Sequence, residues 1–235
     1  MLKRKMIKLL LAIIFFLGGI FLFIYPRVTD KLDKDKVDIL EETYINQIEE
    51  INKTDDANNK FTELYNLLKQ ENEKIYKDGE RIFLTDKTFD ITDIDLSIYG
   101  LNDQIFGFIE IPSINIKLPI YLGSSDYNMT LGATHLTGTS YPIGGVNTNS
   151  LIAAHRGFYK TEMFRNIDKI NIGDKLYIKN FRETLEYTAV STLIIKPDEL
   201  NKLTIKEGHD MVTIISCHPF PSNTHRYVVF FERSN

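Results

Sequence analysis

The chain has 235 residues and a formal net charge of −4. Its basic residues form no stripe or cluster beyond the first few positions, which argues against a nucleic-acid-binding role. Behind an apolar N-terminal segment about two hundred residues remain, enough for one domain with a sizeable core plus a stalk, and short for two independent globules.

Lys3, Arg4, Lys5 and Lys8 precede an uncharged stretch from Leu9 to Tyr25. At about 1.5 Å per residue that stretch covers roughly 25 Å of hydrocarbon, and it lengthens if Lys8 snorkels and Met6 and Ile7 join it. It exceeds the apolar part of a cleaved signal peptide, and Pro26-Arg27-Val28-Thr29-Asp30 makes a poor cleavage site. Residues 1–27 therefore read as a basic flank and an uncleaved transmembrane signal anchor. The positive flank predicts a single pass with the N-terminus cytoplasmic and all that follows Arg27 extracellular.

Residues 28–80 read as an amphipathic helical stalk. Leu40, Tyr44, Ile48 and Ile51 share one helical face, and Phe61, Leu64, Tyr65, Leu68 and Ile75 share another. The run Asn52-Lys53-Thr54-Asp55-Asp56 breaks them apart, predicting a hairpin that buries its stripes against itself or the following domain. Residues 81–104 form a linker.

From residue 105 to 235 the period changes. Segments Phe106–Ile111, Ile114–Leu122, Ser150–Ala154, Asp174–Phe181, Thr184–Ile195, Met211–Ser216 and Arg226–Glu232 are rich in Val, Ile, Phe, Tyr and Thr, with Gly, Pro and Asn between them. Roughly seven or eight short strands predict an all-β barrel or sandwich with accessory helices.

Cys217, the single cysteine, has no intramolecular disulfide partner on the predicted outer side of the membrane, so it is either buried and inert or put to chemical use. The run Thr213-Ile-Ile-Ser-Cys217-His-Pro219 delivers it to a strand end. Thiolate chemistry needs a nearby cation or imidazole, and there are five histidines. His155 ends the strand-like run Ser150–Ala154, His135 lies in a short apolar stretch, His209 follows a Gly turn, and His218 and His225 flank the thiol segment. Spacing does not select among them. Arg226 opens the last strand after the short connection Pro219–Asn223, which returns its guanidinium toward the sulfur, where a cation would stabilise the oxyanion of an acyl transfer. A zinc site on Cys217, His218 and His225 departs from structural-zinc patterns, which pair cysteines.

Three ordered motifs, Ala154-His155-Arg156-Gly157, Thr213–Pro219 and Asn223-Thr224-His225-Arg226, resemble the signature of sortases, the membrane-anchored cysteine transpeptidases of Gram-positive cell surfaces. The Asn-Thr-His-Arg form is most similar to class C, the pilin-polymerising branch. Supporting stretches, in the same order as in that branch, are Gly107–Pro112, Ile116–Tyr121, Gly138–Gly145 and Met163–Ile167. The resemblance implies a sortase-type eight-stranded β-barrel over residues 105–235, with Cys217 as nucleophile, His155 as general acid and base, and Arg226 holding the substrate carbonyl. It is the resemblance that picks His155 from the five.

By the same resemblance, the thiolate cleaves an LPXTG-like sorting signal between Thr and Gly and passes the acyl group to an amine. Class C uses a pilin lysine; the housekeeping branch uses a peptidoglycan-precursor amine. Neither ATP, an organic cofactor nor a metal is implied, because the thioester conserves the bond energy. Class C enzymes usually place an Asp-Pro-aromatic lid ahead of the barrel. Here Phe83-Leu-Thr-Asp86-Lys-Thr-Phe89-Asp90 lacks the proline and leaves Asp86 and Phe89 as lid candidates. L,D-transpeptidase-like and papain-like cysteine hydrolases lack support because their Ser-x-Gly-Cys-Arg and Cys-Gly-Ser-Cys-Trp runs are missing. A membrane-anchored β-domain that only binds surface partners, with Cys217 buried, is the non-enzymatic alternative.

Overall fold

The structure, a computed structural model, describes residues 2–53, 57–79, 94–101, 104–157 and 161–234. The lid candidates Asp86 and Phe89 lie outside the described residues.

The apolar segment and the first stalk stripe lie on one continuous helix, α1 (Leu2–Asn52), about 76 Å long at 1.5 Å per residue. Within it Arg4–Tyr25 is apolar and long enough to cross a bilayer, and its side chains are exposed. The second helix, α2 (Ala57–Asp78), returns alongside. The two predicted stripes dock on the rest of the molecule. Tyr44, Phe61, Leu64 and Leu68 belong to the main core, and Leu40, Ile48, Ile51 and Tyr65 pack at its margin. Burial of each of these leucines contributes about 2 kcal/mol.

Polar contacts fix the docking register. Tyr44 Oη donates to the Phe106 carbonyl at 2.7 Å, and the Asn72 amide pairs with both main-chain groups of Tyr141, at 2.7 and 3.1 Å. Glu41 receives Lys117 at 2.8 Å and also Lys179. Burial pushes its carboxyl up, but the two lysines together hold it below the usual carboxylate range.

Eight strands close into a barrel: β1 (Ile105–Ile111), β2 (Ile116–Leu122), β3 (Ala133–His135), β4 (Thr148–Ala153), β5 (Lys175–Asn180), β6 (Thr184–Ile195), β7 (Asp210–His218) and β8 (His225–Arg233). Their order around the barrel is β1-β2-β3-β4-β7-β8-β6-β5. A short helix, α3 (Asp126–Leu131), joins β2 to β3 and is capped by Ser125. β3 has three residues, too few to show an alternating pattern, and it went unpredicted for that reason. Gly107 is required where β1 meets β5, because a Cβ there would sit 2.2 Å from the Lys179 carbonyl oxygen.

The pairs β2/β3 and β4/β7 are parallel and the others antiparallel. Parallel neighbours are normally covered on both faces. Here the barrel interior covers one side of β4 and β7. Leu200 and Leu203, from the connection between β6 and β7, pack on the other with Leu151, Ile215 and Val228. That double cover makes β4 and β7 rigid rails, and both rails end at the same rim.

Candidate active site

Along β7 the residues Met211 to Ser216 are buried, and the strand emerges at Cys217 and His218, both half-buried. The apolar run Val212-Thr-Ile-Ile-Ser216 drives the strand through the double-covered layer, and the sulfur sits where that cover stops. Among the described residues the Sγ atom makes no hydrogen bond.

β8 pairs antiparallel with β7, and the register sets Cys217 directly opposite Arg226. Opposed residues of such a pair project from the same face with Cβ atoms about 4.5–5.5 Å apart. The short connection thus does what its length predicts. The Arg226 Nη1 donates to the Asn223 and His225 carbonyls at 2.9 and 3.0 Å, so its own loop orients the guanidinium.

His155 arrives from the other side. β4 runs parallel to β7 with Thr148 beside Asp210 and Ala153 beside Ile215. The ladder continues past the strand end: the Ala154 N–H donates to the Ile215 carbonyl at 3.4 Å, and Ser216 Oγ donates to the Ala154 carbonyl at 2.8 Å. The same register, carried past the strand end, brings His155 to the level of Cys217, so residues from three chain segments share one level of the rim. Burial lowers the His155 pKa below its ordinary value, while the Asp126 carboxylate on α3 pulls the other way. The imidazole is therefore mostly neutral at pH 7.

The other histidines have different surroundings. His135 is buried, stacks on Tyr141 at 4.9 Å between ring centres and bonds the Thr139 and Ser140 carbonyls; burial lowers its pKa to about 4. His209 pairs with Glu232 at 2.5 Å at the opposite end of β7. His218 and His225 face each other across β7 and β8, beside the thiol. Among the described residues no group of three or more His, Cys, Asp or Glu side chains is gathered to hold a metal ion.

Two residues at this rim escaped the sequence reading. Asp126, the field source at His155, lies on a short helix with no motif around it. Arg156 stands within the His155 motif, and its position in the sequence assigns it no role. It is 6% exposed, forms an ion pair with Asp168 at 2.5 Å, and donates from Nη1 to the Cys217 carbonyl at 3.3 Å and to His218 Nδ1 at 2.7 Å. Its Nε donates to the Arg165 carbonyl at 3.2 Å. The available signal was an arginine at the end of an apolar strand, which must find partners or remain unpaired in the interior.

Comparison with known proteins adds to this geometry. The model of the sortase domain family matches residues 109–234. Sortase A of Bacillus anthracis is 29% identical over 126 residues, which cover 54% of this chain and 58% of that relative's length. The solved structure of sortase C1 of GBS pilus island 1 superposes with a TM-score of 0.70 at 32% identity, covering 83% of this chain and 98% of that one. Sortase C from Clostridium perfringens SM101 gives 0.66 at 32% identity, covering 83% and 99%.

Proposed function

The chain belongs to the sortase family, and from that premise we propose that it is a membrane-anchored cysteine transpeptidase of the class C kind, which joins the acyl end of a sorting-signal protein to a pilin lysine. The observation that supports this reading is the strand register, which pairs Arg226 with Cys217 and, carried two residues past Ala153, sets His155 at the same level of the half-buried rim. The pilin branch is favoured by the two class C neighbours, one of which carries a pilus in its name.

In the proposed reaction the Cys217 sulfur, its proton taken up by His155, attacks the Thr carbonyl carbon of an LPXTG-like signal. The carbonyl oxygen gains negative charge, which the Arg226 guanidinium stabilises; one such donor in a water-poor site is worth about 3 kcal/mol. Collapse of the tetrahedral species breaks the Thr–Gly C–N bond, and His155 returns a proton to the leaving Gly amine. The thioester that remains is attacked by the acceptor amine. His155 takes the amine proton, the C–S bond breaks, and Cys217 recovers its proton. Bonds made and broken balance without an external energy source. Arg4–Tyr25 would hold the enzyme at the membrane, with the barrel outside.

The test is to supply the full-length chain, in detergent, with a sorting-signal peptide and two competing acceptors, a pilin-derived lysine peptide and a peptidoglycan stem amine, and to identify the products by mass spectrometry. The reading expects the isopeptide-linked lysine product to dominate. Dominance of the stem-amine product would move the protein to the wall-anchoring reading, which the similarity to a sortase A favours. Surface-protein binding with no turnover on any signal would replace it with the binding domain.

A further inference from the structure

Arg156 occupies the joint between the two rails that carry the proposed acid–base and nucleophile. A guanidinium has five N–H donors in a rigid fork and no acceptor, so its partners must be acceptors placed in fixed directions. Arg156 finds four. One is the carboxylate of Asp168, beyond the β4 rim; a second, the Arg165 carbonyl, belongs to the same connecting segment. The other two belong to the end of β7: the carbonyl of Cys217 itself and Nδ1 of His218.

Because Arg156 follows His155 in the chain, its backbone moves with the imidazole while its side chain grips the carbonyl of the nucleophile. No hydrogen bond joins the Cys217 sulfur to another described residue, so the spacing between thiol and imidazole is set by the backbone and by whatever pins β4 to β7 beyond their ladder. Ser216 Oγ supplies one such pin, to Ala154. Arg156 supplies the pin that acts on Cys217.

The loop is shaped to permit this. Gly157 has φ near +90°, and a Cβ there would lie 2.7 Å from the Arg165 guanidinium, so the turn that starts just after Arg156 needs glycine. His218 is constrained as well. With a guanidinium N–H pointing at Nδ1, its ring proton must reside on Nε2, directed away from the clamp.

We infer that Arg156 is a positioning residue that clamps the β7 end bearing Cys217 to the β4 end bearing His155, with Asp168 as its anchor. This rests on the transpeptidase reading for its consequence in turnover, but the geometry it asserts is independent of substrate. Lysine cannot replace the arginine, since a single ammonium does not reach acceptors lying in three directions. A small loss of register between nucleophile and base is costly in rate, about 100-fold for a displacement near 1 Å.

The experiment compares wild type, Arg156→Lys, Asp168→Asn and His155→Gln as full-length chains in detergent. It measures kcat and KM on a fluorogenic sorting-signal peptide. It also measures the rate of Cys217 alkylation by iodoacetamide against pH, scaled to the folded fraction from thermal melts. The clamp predicts that Arg156→Lys lowers kcat about 10- to 100-fold with KM nearly unchanged. Its alkylation profile should move toward that of His155→Gln, and Asp168→Asn should show the same pattern more weakly. A fall in kcat that merely tracks the folded fraction, with the alkylation profile of wild type retained, would make Arg156 a structural residue and overturn the inference. So would unchanged kcat in both variants. Should wild type turn over no sorting peptide at all, the transpeptidase reading fails, while the alkylation profiles still decide whether Arg156 couples the two rails.

Discussion

The two ends of β7 are built from the same ladders and differ in what they leave undone. At the Asp210 end the acidic groups and the histidine are absorbed by structure: Asp210 accepts from Tyr187 Oη at 3.0 Å and from the Gly145 N–H at 2.8 Å, and His209 pairs with Glu232 at 2.5 Å. At the Cys217 end an imidazole, a guanidinium and a thiol lie at one level, and the sulfur has no hydrogen-bond partner among the described residues. A nucleophile in a cysteine transpeptidase must be left unengaged until substrate arrives, whereas a carboxylate used for architecture must not. Titratable residues occur at both rims, so their presence does not mark the reactive one; a half-buried thiol without a hydrogen-bond partner among the described residues does.

This contrast is sharpest under substitution. Arg226→Lys keeps the charge and loses the fork, so kcat/KM on a sorting-signal peptide should fall about 100-fold, the loss expected for one oxyanion donor. Unchanged turnover would reduce Arg226 to a strand-end residue. At the opposite rim, Asp210→Ala strips the partner from the Tyr187 hydroxyl and the Gly145 amide. It should lower stability by about 1–3 kcal/mol in chemical denaturation while leaving kcat per folded molecule as in wild type. An equal loss of kcat would mean that the two rims are coupled.

The smallest effect concerns pH. The folded pKa of His155 is depressed by burial, so the unfolded chain binds its proton more readily. The stability tied to neutral His155 is present above the unfolded imidazole pKa of about 6.5 and is lost as pH falls through the folded value. Wild type should therefore lose stability on acidification relative to His155→Gln, as read from chemical denaturation at a series of pH values. Parallel stability curves would show that the imidazole is solvated like an exposed one.

What was legible in the sequence follows the range of the forces involved. The runs that became β1, β2 and β4 to β8 were visible because β-branched and aromatic residues cluster between turn residues, and the two helical stripes were visible because they repeat with the helical period. Arg226 could be placed near Cys217 because the chain between them is short. His155 could not be placed that way. Its level beside Cys217 depends on a parallel pairing between β4 and β7, whose partners are distant in sequence, and only the resemblance selected it. Arg156 was harder still, since its bond to the Cys217 carbonyl joins residues 61 positions apart and its anchor Asp168 lies in a turn with no motif of its own. β3, with three residues, offered no pattern to read.

The central claim is that the Cys217 sulfur at the β7 rim performs the acyl transfer. The direct measurement is mass spectrometry of the acid-quenched full-length chain after mixing with a sorting-signal peptide in detergent, alongside Cys217→Ala. A covalent adduct of the peptide's N-terminal part on Cys217, missing in the alanine variant together with at least about a 1,000-fold loss of cleavage, is the predicted result. Full cleavage by Cys217→Ala, or an adduct carried by any other residue, would contradict it.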